Sequence, residues 1–221
     1  DIFTSAQALD SLAGRTMTIT LYPFSWAELR WAKPAKLMDW AASTNPTLAD
    51  LPRPEMIDRA DYIAQLVRGF YPGIQTLPPR VRQRRYRAYV DTIVDRDVSD
   101  LLRVRKNEPF RRLVEQLAAR TAQELNLQEL GSMQAVQRPT LDAWLDVLRR
   151  LSLVQRLPAW TPGETGRDIS NAKYHFVDTG VVAALRGMTE ATFAPTAQPS
   201  ALGSLLETAV HGELAKNLPH Q

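Results

Sequence analysis

Leu141, Trp144, Leu145, Leu148 and Leu151 fall at i, i+3, i+4, i+7 and i+10, an apolar stripe at helical period that has to be buried against another element. Pro139 fixes where this helix begins, because a first-turn N–H has no intrahelical partner and its loss there is harmless, so the start is predicted near Arg138. Two strand-like runs follow, Leu153 to Leu157 and Tyr174 to Val177, and Pro162, Gly163, Gly166, Asp168 and Asn171 between them supply the turn chemistry of a long hairpin loop.

A helix feeding a hairpin is the shape of a winged helix, and the segment from Gln134 to Val177 predicts one. The remainder reads as mostly α with small β content. Leu9, Leu12 and Ala13 suggest a short helix closed by Gly14, and Met17, Ile19 and Leu21 alternate with threonines in a strand-like run over Thr16 to Leu21. Ser25 is placed to cap a helix, with Glu28 three residues on completing a capping box. The prolines between Lys33 and Pro54 predict a loop with a helical turn or two around Leu37 to Ala42. Glu55 to Phe70 is predicted helical, with Met56, Ala60, Ile63 and Val67 inward. From Arg80 a helix carries Tyr86, Val90, Ile93, Val94 and Asp97 on one side and arginines on the other. Further helices are predicted over Asn107 to Arg120, Leu125 to Met133, Asp178 to Gly187 and Leu202 to Asn217, the last with Leu205, Leu206, Ala209, Val210 and Leu214 inward.

A chain of 221 residues with 44% apolar content predicts two or more small packed units. No apolar run approaches the roughly 20 residues needed to span a bilayer, so a soluble chain without membrane contact is expected, and the lack of cysteine fits a cytoplasmic location. The absence of cysteine excludes disulfides, thiolate metal sites and Cys nucleophiles, and His175, His211 and His220 are scattered. The formal charge is only +3, but between Arg80 and Arg112 ten arginines and Lys106 face five carboxylates, an excess of six positive charges in one segment.

Several stretches bear on family. They are Ser11 to Arg15 (SLAGR), Leu21 to Ser25 (LYPFS) with Glu28, Gly69 to Pro72 (GFYP), Tyr89 to Asp97 (YVDTIVDRD), Arg138 to Thr140 (RPT), Leu157 to Trp160 (LPAW), Phe176 to Gly180 (FVDTG) and Gly203 to Glu207 (GSLLE). In this order and spacing they resemble the bacterial AAA-class ATPases that carry a C-terminal domain of uncharacterised function, over nearly the whole chain. The resemblance implies four parts. Residues 1–30 would be the C-terminal edge of an AAA-type ATPase core, with the end of its sheet, and 31–106 a helical lid and linker with an arginine-rich helix. Residues 107–187 would be a winged-helix-like domain, and 188–221 the first helix of a truncated PD-(D/E)XK-like nuclease region. ATP and Mg²⁺ belong to the whole family protein. This chain has no G-x-x-x-x-G-K-[ST], in fact no Gly-Lys pair, so no cofactor and no catalytic site are expected in it.

The resemblance leaves Arg15 as the one nucleotide-sensing candidate, either a γ-phosphate sensor or a tie between a helix end and neighbouring carboxylates. Glu207 matches the acidic position on the first helix of the nuclease-like region, where the other metal-holding residues are absent. Glu213 with Lys216 reads as a solvated i,i+3 pair. Nucleic-acid or docking candidates are Arg82, Arg84, Arg85 and Arg87 on the arginine-rich helix, Arg138 and Thr140 at the start of the helix before the wing, and Arg167 in the wing. Against groove reading, Arg138 with Asp142 and Asp146 with Arg150 are i,i+4 pairs of opposite charge, so that face neutralises itself. Gln137 stands where a Ser cap is usual in the family and Ala135 where the turn usually has Gly. The partners expected are the ATPase core, nucleic acid and a second copy of the chain. Two functions follow: a non-catalytic portion of an AAA-type ATPase whose winged helix couples nucleotide state to a partner, or a stand-alone winged-helix nucleic-acid-binding module.

Overall fold

The computed structural model describes residues 20–33, 37–50, 56–98, 108–160, 172–194 and 199–217. Among the described residues nine α-helices and one two-stranded antiparallel sheet make a mostly helical fold. The expected helix before Gly14, most of the Thr16 to Leu21 run and the wing tip lie outside the described residues, and Thr20 and Leu21 carry no strand.

Helix α1 (Trp26–Leu29) has the reciprocal cap its sequence announces: Ser25 Oγ accepts from Glu28 N–H at 3.1 Å and Glu28 Oε2 accepts from Ser25 N–H at 2.7 Å. After α2 (Leu37–Ala41), α3 (Arg59–Arg68) begins later than its composition suggested. Met56 is 97% exposed, outside the helix, and Ala60 is exposed too. The face that enters the core is Ile63 and Leu66, continued by Phe70. Pro79 opens α4 (Pro79–Thr92), which runs on into a wider turn at Ile93–Val98.

Helices α5 (Glu108–Ala119), α6 (Leu127–Gln134) and α7 (Arg138–Arg150) lead into β1 (Val154–Leu157) and β2 (Lys173–Phe176). The strands pair with Val154 opposite Phe176 and Leu157 opposite Lys173. Leu141, Trp144, Leu145 and Leu148 are all buried, as their spacing requires, and Trp144 meets Phe110 of α5 edge-on at 5.5 Å. Helix α8 (Thr179–Leu185) follows β2 at once, and α9 (Pro199–Asn217) closes the fold. Among the described residues one cluster of buried side chains runs from Ile63 to Ala209.

Two features of α9 depart from its sequence pattern. Leu205, Thr208 and Ala209 are buried while Leu206 and Val210 are exposed, so the helix packs through a narrow face. Glu213 and Lys216 are not a solvated pair. Glu213 Oε2 accepts from Trp26 N–H at 3.2 Å, and Lys216 Nζ donates to the Phe24 carbonyl at 2.7 Å while standing 5.0 Å from the centre of the Phe70 ring. Phe24 N–H also donates to Phe70 O at 2.9 Å, so residues 24–26 are clasped between α3 and α9. Between β2 and α9, His175 is fully buried against His211, and Thr208 links His175 Nδ1 at 3.4 Å to Thr121 at 2.9 Å.

Candidate functional site

Helix α4 divides its arginines by angle. Arg80, Arg84, Arg85 and Arg87 face solvent, whereas Arg82 lies one turn before Tyr86 and two before Val90 and enters the protein with them, 7% exposed. The expectation that all the arginines crowd the polar side is thus corrected at Arg82. Arg87 Nε donates to the Ala184 carbonyl at 3.1 Å. The acids nearest in sequence serve a different cation: Arg111 of α5 pairs with Asp91 and, at 2.9 Å, with Asp95. Burial pulls the Arg111 guanidinium down, but the bonds and charges of Asp91 and Asp95 outweigh it and leave its pKa raised. Arg80, Arg84 and Arg85 make no ion pair among the described residues.

Behind Arg82 the segment Phe176 to Gly180 acts as a buried fastener. Asp178 caps α8, its Oδ1 accepting from Gly180 N–H at 2.7 Å and Val181 N–H at 3.2 Å, and its Oδ2 accepts from Phe70 N–H at 2.6 Å. Burial pushes the Asp178 carboxyl up, opposed by those N–H groups and by the Tyr86 hydroxyl. The Tyr86 hydroxyl donates to the Arg68 carbonyl at 3.0 Å, and Thr179 donates to Leu66 O at 2.7 Å. Gly180 is where these parts meet: a Cβ there would lie 2.5 Å from the Tyr86 oxygen and 2.7 Å from the Arg68 carbonyl. Gly69 is constrained twice, by its φ of +78° and by space, since a Cβ there would also meet Tyr86 and Asp178. The end of α3, the middle of α4 and α8 are thereby held at fixed distances.

The helices so fixed line an open-mouthed cavity of about 220 Å³. Val67, Tyr86, Ala183 and Met188 form apolar walls, Arg82 a cationic one, and Glu190 stands among the lining residues. Gln83 is occupied, donating through Nε2 to Met188 O at 3.1 Å. Arg82 Nη1 is buried and has no hydrogen-bond partner. Burial, with Arg68 nearby, lowers the Arg82 pKa, and the charge of Glu190 opposes the shift. Sequence reading missed this cavity, although the i,i+4 relation of Arg82 to Tyr86 was the signal.

At the start of α7, Arg138 and Thr140 are exposed. Arg138 Nε donates to both Asp142 oxygens, at 2.9 and 2.8 Å, and Asp146 holds Arg150 at 2.8 Å and Arg149 at 3.5 Å. The polar face of α7 is therefore internally paired. Gln137 caps the helix by position without a side-chain bond, and Ala135 takes the left-handed conformation at φ 53°. Glu207 pairs with Lys173 of β2 at 2.6 Å. No group of three His, Asp or Glu residues forms a candidate metal site among the described residues, and Arg15 and Arg167 lie outside them. No described helix is long and apolar enough to cross a membrane.

No curated protein and no solved structure matches the chain. A family model described as a domain of unknown function, DUF8612, matches residues 59–192, a span from the first residue of α3 into the short helical turn that begins at Glu190, taking in Arg82, Asp178 and the whole of α7. On that match the chain belongs to the DUF8612 family.

Proposed function

We propose that this chain is a non-catalytic docking module, the portion of an AAA-type ATPase that follows its nucleotide site. In this reading α5, α6, α7 and the β1–β2 hairpin form a winged helix that couples nucleotide state to a partner through protein contacts. The observation that carries it is the pairing of Arg138 with Asp142 and of Arg150 with Asp146. A helix that enters a DNA groove presents unpaired donors to base edges and phosphates, and two carboxylates on that face oppose both. The exposed arginines of α4 then supply an electrostatic contact that steers a partner without specifying it.

A second reading, a stand-alone nucleic-acid-binding module, is favoured by Arg80, Arg84 and Arg85, which are exposed and without an acidic partner among the described residues. Fluorescence anisotropy with duplexes of random and varied sequence, across a salt series, separates the two. The docking reading expects at most weak binding, with a Kd of order 10⁻⁴ to 10⁻⁶ M, no sequence preference and no change on Arg138→Ala. Sequence-dependent binding lost in Arg138→Ala would replace it with the second reading.

A further inference from the structure

We propose that the cavity between α3, α4 and α8 is a binding site for a small monocarboxylate with a short apolar tail, held by the Arg82 guanidinium. Arg82 is 7% exposed and its Nη1 has no partner. A buried cation without a counter-charge is among the costliest groups a fold can carry, and it is relieved by an anion brought against it. The nearest charged groups do not supply one. Arg68 repels Arg82, and Glu190 acts on it only through space, without an ion pair.

The walls decide the kind of anion. Val67, Tyr86, Ala183 and Met188 offer apolar surface, which suits an alkyl chain and gives the further oxygens of a multiply charged phosphate little to bond beyond Arg82. Glu190 among the lining residues disfavours a dianion further. The cavity, about 220 Å³, has room for roughly seven water-sized groups, enough for a carboxylate on a four- or five-carbon body and too little for a nucleotide. A planar guanidinium matches a carboxylate through two parallel N–H···O bonds, which fixes the head while the tail lies along Met188 and Tyr86. The walls are preset rather than formed on binding, because Asp178, Gly180 and Tyr86 hold α3, α4 and α8 together.

The test is titration of the whole chain with pentanoate, followed by calorimetry and by the Met188 methyl resonance, with 1-pentanol and inorganic phosphate as comparators. Saturable binding of pentanoate that shifts the Met188 methyl is expected, with 1-pentanol weaker by tenfold or more, the share of a charge-assisted hydrogen bond. Phosphate should not compete. Arg82→Gln should weaken pentanoate by a similar factor, and where that variant fails to fold, the pentanoate and pentanol comparison on the unaltered chain still decides. Absence of a saturable Met188 shift, equal affinity for acid and alcohol, competition by phosphate, or full affinity in folded Arg82→Gln would each overturn the assignment.

Discussion

His175 and His211 lie ring over ring, with centroids 4.2 Å apart and planes within 5° of parallel. His175 Nε2 and His211 Nδ1 are buried and unpartnered, an arrangement suited to two neutral imidazoles. Burial, then His211, push the His175 pKa down to about 4, with Lys173 adding to the shift and Glu207 opposing it. Burial lowers His211 as well, again against Glu207. The unfolded chain, with histidines near the ordinary 6.5, therefore binds more protons than the folded one as pH falls. Stability should be fully present above about pH 6.5 and decline toward about pH 4, His175 alone contributing on the order of 2 kcal/mol after allowance for screening. Melting curves across that range check it, and a flat melting temperature would contradict a neutral stack.

Gly180→Ala should destabilise by about 2 kcal/mol or more, because the new methyl meets the Tyr86 hydroxyl and the Arg68 carbonyl, both already bonded. Gly203→Ala in α9 is the control, since a Cβ there meets nothing within 4 Å. Removing a helical glycine at an open position should stabilise by roughly 0.5–1 kcal/mol. Urea titration of the pair is expected to move the midpoints in opposite directions.

Trp144→Ala should cost roughly 3–5 kcal/mol, the range for truncating a large buried aromatic. Its ring packs on Phe110 from the centre of the α7 face that also carries Leu141, Leu145 and Leu148. An unmoved melting curve would place the side chain outside the core.

Ala135→Gly is expected to stabilise. Ala135 holds φ 53°, ψ 39° at the corner between α6 and α7 and is exposed, so its methyl costs conformational energy and packs little. The gain should be about 0.5–1 kcal/mol by chemical denaturation. A loss would mean that the methyl makes a contact worth more than the strain.

Calorimetry of this chain with Mg-ATP should show no binding. Phosphate cradling needs a glycine-rich loop with its lysine, and no Gly-Lys pair occurs in the sequence. Micromolar affinity would remove the basis for reading the chain as non-catalytic.

Much of the helical half was legible because local chemistry and burial agree there. The α7 stripe, Pro139 at the first turn, the Ser25 and Glu28 cap and the i,i+4 pairs of α7 are all present, and both strands fall within one residue of expectation. Arg82 was misplaced because it was grouped by charge, whereas its angle on the helix puts it with Tyr86 and Val90. Asp178 was visible only as part of a pattern, since its three backbone donors come from Phe70, Gly180 and Val181, two short-range and one over a hundred positions away. Met56 failed for a plainer reason: Asp58 is extended and α3 starts at Arg59, so the helix does not reach back to it. On α9 the apolar positions outnumber those that one neighbouring surface can cover, and periodicity alone does not choose among them.

The bonds from Trp26 to Glu213, Lys216 to Phe24 and Phe24 to Phe70 create a load path. A pull applied at Tyr22 or Pro23 reaches α9 and the end of α3 through three polar contacts, without passing along the intervening chain. Lys216→Met should remove one strand of that path and leave the Trp26–Glu213 and Phe24–Phe70 bonds to carry the rest while α9 remains folded.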